Sequence, residues 1–147
     1  RANHVWAATM ALNGMIGVGV PQDWATHMIG HELTARFGID HGQTLAIVYP
    51  ALLEVMKDQK RAKLLQYASR VWNITEGNDD EKITKAIGET RRFFESLGIK
   101  TRLSEYGVKF GQISEVVDQL KAHGMTALSE TGQITPEVAQ KILEMAY

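Results

Sequence analysis

The run Asp23-Trp24-Ala25-Thr26-His27-Met28-Ile29-Gly30-His31-Glu32-Leu33-Thr34-Ala35-Arg36-Phe37 decides how the rest of the chain reads. Ala25, Ile29, Leu33 and Phe37 recur every four residues and form one apolar stripe of a helix. Trp24, Met28, His31 and Ala35 form a second stripe, so two faces are expected to be buried. Glu32 and Arg36 fall four apart on the remaining face, in the favourable acid-before-base order. A helix with two covered faces belongs at the centre of a bundle.

Working outward, Gly38 breaks this helix and Asp40 can cap the next, which begins at His41. Leu45-Ala46-Ile47-Val48-Tyr49 is apolar on all sides and predicts a buried helix that Pro50 ends or kinks. Upstream, a first helix runs into Asn13-Gly14, and Gly17, Gly19 and Pro21 mark a loop. Downstream, helices are expected near 59–73, 80–97, 113–123 and 136–145. Asn78 with Glu81 fits a capping box, and Thr135-Pro136-Glu137 supplies a cap, a first-turn proline and a first-turn acid. Ala62, Leu65, Ala68 and Val71, with Leu64 and Trp72, give the fourth helix a core face. Trp6, Trp24 and the methionines read as core packing. No segment alternates as a strand does. The expected fold is all-α, one multi-helical bundle of about seven helices over residues 1–147.

Composition narrows the functions. Of 147 residues, 22% are charged with a formal net charge of −1, which gives no electrostatic attraction to nucleic acid or an anionic membrane. Lys60-Arg61-Ala62-Lys63 reads as a solvated basic turn. No apolar run approaches the ~20 residues that span a bilayer. The chain holds no cysteine, so a transition-metal site must use His, Asp or Glu. Arg1 leads straight into a helical pattern, so the chain reads as part of a longer one.

Four of the five histidines, His4, His27, His31 and His41, lie in the first third. Residues four apart share a helix face, and imidazoles suit zinc and iron, so Asp23, His27 and His31 are candidate ligands. Asp23 and His31 are separated by about 12 Å of helix rise, so all three cannot hold one ion. Asp23 is better read as a cap. His41 sits at the positive end of a helix dipole, which disfavours the imidazolium and suits a metal ligand. Spacing alone leaves two pairings open, His27 with His31 on one helix and His27 with His41 across a corner. A zinc-protease motif beginning at His31 fails, because Ala35 stands where its second histidine belongs. His4 and His123 read as surface or helix-end residues.

The stretch Gly19-Val20-Pro21-Gln22-Asp23-Trp24-Ala25-Thr26-His27-Met28-Ile29-Gly30-His31-Glu32-Leu33, followed by Asp40-His41-Gly42-Gln43-Thr44-Leu45-Ala46-Ile47, resembles the histidine signature of the iron-dependent (group III) alcohol dehydrogenases. The similarity continues through 61–68, Val71-Trp72-Asn73-Ile74-Thr75-Glu76-Gly77 and His123-Gly124-Met125-Thr126, and is best to the butanol-dehydrogenase-like, NADPH-preferring aldehyde reductase branch. The resemblance implies the C-terminal domain of the dehydroquinate-synthase-like fold, with the nucleotide-binding N-terminal domain outside this chain. It implies that His27 and His41 are two of four ligands to a divalent metal, Fe2+ or Zn2+, an Asp and a His coming from before Arg1. It puts His31 in the cavity between metal and nicotinamide, as a catalytic residue. It further implies a cytoplasmic, homo-oligomeric enzyme (a dimer) that acts on small alcohols and aldehydes. NADP(H) is favoured over NAD(H), and the partner is the enzyme's own N-terminal domain. Two other readings compete: a helical binding module of the same ancestry, and a self-contained helical metallohydrolase.

Overall fold

The computed structural model describes residues 1–147 and consists of seven α-helices joined by turns. They are α1 (Ala2–Leu12), α2 (Ala25–Phe37), α3 (His41–Val55), α4 (Arg61–Trp72), α5 (Asp79–Ser96), α6 (Ile113–Ala122) and α7 (Pro136–Met145). The sole strand-like feature is an isolated antiparallel bridge between Leu128 and Ile134. No helix is long and apolar enough to cross a membrane.

The local signals act where they stand at α5 and α7, whereas Asp40 holds the cap position of α3 without a side-chain capping bond. Asn78 accepts the Glu81 amide at 3.0 Å, while the Glu81 carboxylate accepts the Asn78 amide at 2.9 Å, so α5 opens on a reciprocal cap. Thr135 caps α7 with Pro136 behind it. Gly38 takes a left-handed φ of 67° and closes α2, leaving Ile39 and Asp40 to turn the chain into α3.

α3 is the central element and packs against α2, α5 and α7. Ala46, Ile47, Val48, Ala51, Leu52 and Leu53 are all buried along it. Pro50 is buried as well, and α3 continues through it to Val55. The missing proline N–H costs one helical hydrogen bond, and the apolar surface buried on either side holds the helix past it. Ala25, Ile29 and Leu33 meet α3 and join a core of 24 buried residues. Burying an Ile or Leu side chain contributes roughly 1.5–3 kcal/mol.

Several expectations need correction. The second stripe of α2 is open, since His31 and Ala35 are exposed and Trp24 is 41% accessible. Trp6 and Met15 are exposed too, and α1, which packs on the turn that follows it, buries no residue. On α4 the buried residues are Leu64 and Ala68, whereas Ala62 and Val71 face outward. Glu32 is not on a solvated face. It is 6% exposed, because α6 packs there, and its Oε1 meets His123 Nδ1 at 2.7 Å. Arg36 pairs with Glu115 of α6 instead.

Candidate metal centre

Two helix ends build the site. Asp23 anchors the start of α2 with both carboxylate oxygens. Oδ1 accepts the Ala25 amide at 2.8 Å, and Oδ2 takes Lys60 Nζ at 2.9 Å. Lys60 also binds Glu130 at 2.9 Å. Burial lowers the Lys60 pKa, but hydrogen bonds to Asp23 and Glu130 outweigh it, so the ammonium is held more firmly than usual. Lys60 is therefore not part of a solvated turn; it ties three segments together. Asp23 is not the helix cap its position suggests, because Trp24 takes the cap position and no side chain caps α2; Asp23 instead holds the Ala25 amide from one residue further back and stays outside the histidine cluster.

α3 begins at His41, and Thr44 secures that first turn by donating its hydroxyl to the His41 carbonyl at 2.7 Å. Gly30 of α2 lies directly opposite. A Cβ there would fall 2.7 Å from Thr44 Oγ1, so the absence of a side chain lets α2 and α3 approach closely. That approach brings His27 Nδ1 within 3.1 Å of His41 Nε2.

His31 joins them. Its ring stacks on His41 with centroids 4.5 Å apart and planes at 30°, and it meets His27 edge-on at 6.3 Å. One ligand atom from each of His27, His31 and His41 lies within 4.8 Å of the others. The one-helix and two-helix pairings left open by spacing thus meet in a single cluster. Trp24 covers one side of His27 at 5.1 Å. Burial, then the neighbouring His41 and His31, lowers the His27 pKa from its ordinary 6.5; burial and His31 do the same to His41. Both imidazoles therefore favour the neutral form that can donate a lone pair to a metal.

The donor set fits a divalent transition metal. Tetrahedral coordination at 2.0–2.1 Å separates neighbouring nitrogens by about 3.3 Å, close to the 3.1 Å between His27 and His41. His41 Nδ1 is buried without a hydrogen-bond partner, which leaves Nε2 as its outward donor. A cavity of about 330 Å³ opens beside the α2 N-terminus, lined by Asp23, Thr26, Tyr49, Lys60 and Tyr67 among others. It contains none of the three imidazoles. Burial, with Tyr67 and Asp23 nearby, pushes the Tyr49 hydroxyl up to about 12.

Sequence reasoning missed the Gly30–Thr44 approach, the Asp23–Lys60–Glu130 bridge and the Glu32–His123 pair. A glycine inside a helical pattern was the one available signal for the first. The other two join residues far apart in the chain.

Comparison with known proteins gives a consistent picture. A family model described as Fe-containing alcohol dehydrogenase, C-terminal, matches residues 1–147. The chain is 62% identical to the NADPH-dependent aldehyde reductase YqhD of Escherichia coli over 146 residues, 99% of this chain and 38% of that protein. It is 33% identical to NADH-dependent butanol dehydrogenase A of Clostridium acetobutylicum over 149 residues, again 38% of that protein. Among solved structures, Escherichia coli YqhD superposes with a TM-score of 0.95, at 62% identity, covering 97% of this chain and 36% of the other. NADH-dependent butanol dehydrogenase A of Thermotoga maritima gives a TM-score of 0.86 at 30% identity, covering 96% of this chain and 37% of the other. The chain thus spans less than two-fifths of the length of these relatives.

Proposed function

Since the chain belongs to the Fe-containing alcohol dehydrogenase family, whose C-terminal region it matches throughout, we propose that it is the metal-carrying domain of a longer enzyme. That enzyme interconverts small aldehydes and alcohols with a nicotinamide nucleotide. Within the family, 62% identity to an NADPH-dependent reductase against 33% to an NADH-dependent dehydrogenase favours NADP(H). The nucleotide fold and two further ligands, an Asp and a His, are assigned to the N-terminal part that the relatives' length allows.

The observation that carries this reading is the meeting of His27 and His41, from two helices, at a spacing suited to one ion. A divalent ion at this position, Fe2+ or Zn2+, supplies Lewis acidity toward a substrate oxygen. His27 and His41 would contribute ring nitrogens whose neutral form is favoured by burial and by the neighbouring imidazoles. Trp24 shields the flank of His27 from water. His31, exposed at the rim of the cluster, can hold or pass a proton at its free ring nitrogen, which gives it the catalytic role.

The full-length enzyme tests this directly. Purified with its metal, it is expected to oxidise NADPH in the presence of short-chain aldehydes and to lose that activity on chelation, regaining it with Fe2+ or Zn2+. An enzyme that turns over fully after its metal is removed would exclude the reading.

A further inference from the structure

The family reading gives His31 no bond to the metal, yet its ring lies as close to His41 as His27 does. The donor atoms of His27, His31 and His41 sit within 4.8 Å of one another in a chain that brings no other ligand to them. We propose that these three imidazoles form a metal site complete within this chain, a three-histidine cup with its fourth position open. The inference rests on the assignment of His27 and His41 as ligands and adds His31 as an alternate third.

Three observations carry it. His27 and His31 are four residues apart on α2, the spacing at which two imidazoles on one helix face chelate a single ion. His41 enters from the N-terminus of α3, a different direction, so the three donors do not lie in a line. The His27–His41 separation of 3.1 Å is already near the coordinated value, and each separation from His31 must shorten by about 1.5 Å at most to reach about 3.3 Å. His31 is exposed, so rotation about its own side-chain bonds meets no packed neighbour from the core. The His31 ring stacks on His41 with centroids 4.5 Å apart, so the two imidazoles already share one side of the cluster.

The chemical class follows from the donors. Three neutral nitrogens and no carboxylate select Cu2+, Zn2+ and Ni2+ over Mg2+ and Ca2+. Three protein ligands with an open fourth position is also the layout of catalytic rather than structural zinc. In the longer protein, donors from upstream would take the place of His31 and release its imidazole for proton transfer. His31 then serves twice, as a ligand while the domain acquires an ion and as a proton carrier once the site is complete.

The 147-residue chain carries its own core of 24 buried residues, so it is titrated directly with Cu2+ and Zn2+ by calorimetry, with electron paramagnetic resonance on the copper form. Circular dichroism of each variant checks that the helices persist. The expected result is one ion per chain, a three-nitrogen copper spectrum, and at least tenfold weaker binding with a two-nitrogen spectrum for His31→Ala. Mg2+ is expected not to compete. In the full-length enzyme His31→Ala is expected to retain its metal. A two-nitrogen spectrum for the unaltered chain, or equal affinity in His31→Ala, would overturn the proposal. So would a chain that binds no ion, and that outcome leaves the four-ligand reading standing, because His27→Ala and His41→Ala in the full-length enzyme test it separately.

Discussion

His27 and His41 owe their suitability as ligands to where their nitrogens sit. Burial lowers the pKa of both below 6.5, so the folded chain takes up these protons less readily than the unfolded chain does. Their contribution to stability is therefore complete above pH 6.5 and is lost as pH falls through the lowered folded-state values. The metal-free chain is expected to melt at progressively lower temperature between pH 7 and 5, and a His27→Gln/His41→Gln double variant to show a flatter profile. The difference in melting profile between the two proteins is the quantity to read. His31 stands apart from that pair. In the full-length enzyme His31→Ala is expected to keep its metal and to slow turnover on the order of a hundredfold, the scale of a lost proton relay. An unchanged rate with a lower melting point would reduce it to packing.

At the scale of elements, the site depends on how closely α2 and α3 approach. Gly30→Ala would press a Cβ to 2.7 Å from Thr44 Oγ1, a buried hydroxyl held in place by the His41 carbonyl. Overpacking of this kind costs about 1–3 kcal/mol, and here it also parts the two imidazoles. The expected outcome is a lower melting temperature with weaker metal binding, both partly restored by Gly30→Ala/Thr44→Ala. Metal affinity untouched in Gly30→Ala would show that the helix approach does not set the ligand spacing. The elements themselves were legible because their signals are local. Asn78 and Glu81 are three residues apart, Thr135 adjoins Pro136, and the stripe Ala25–Ile29–Leu33 repeats every turn. Of the two readings of Pro50, a stop or a kink, the stop is excluded because α3 runs on to Val55, and the sequence does not display how much apolar surface holds α3 together around it. Lys60 misled for a related reason. Its partner Glu130 lies 70 residues away, and only tertiary folding turns an apparently solvated lysine into a bridge. Glu32 and His123, 91 residues apart, show the same limit.

For the whole molecule, the bundle is closed on the α3 side and open on the histidine side. His31, Ala35 and Trp24 remain accessible, and α1 exposes Val5, Trp6 and Leu12. The seven-helix fold and the family were both readable from sequence, the second because the His27, His31 and His41 spacing with its flanking residues is specific. The open face was not readable, since an amphipathic pattern marks which surface is apolar and says nothing of what covers it. The 147-residue chain alone is expected neither to bind NADPH nor to reduce aldehydes, because the proposed nucleotide fold lies elsewhere. NADPH-dependent turnover by this chain would contradict that division of labour. The central claim, that His27 and His41 together hold the catalytic metal, is tested most directly by metal analysis of the full-length enzyme carrying His27→Ala or His41→Ala. Each variant is expected to lose its metal and nearly all activity together. Stoichiometric metal retained in both would contradict the assignment.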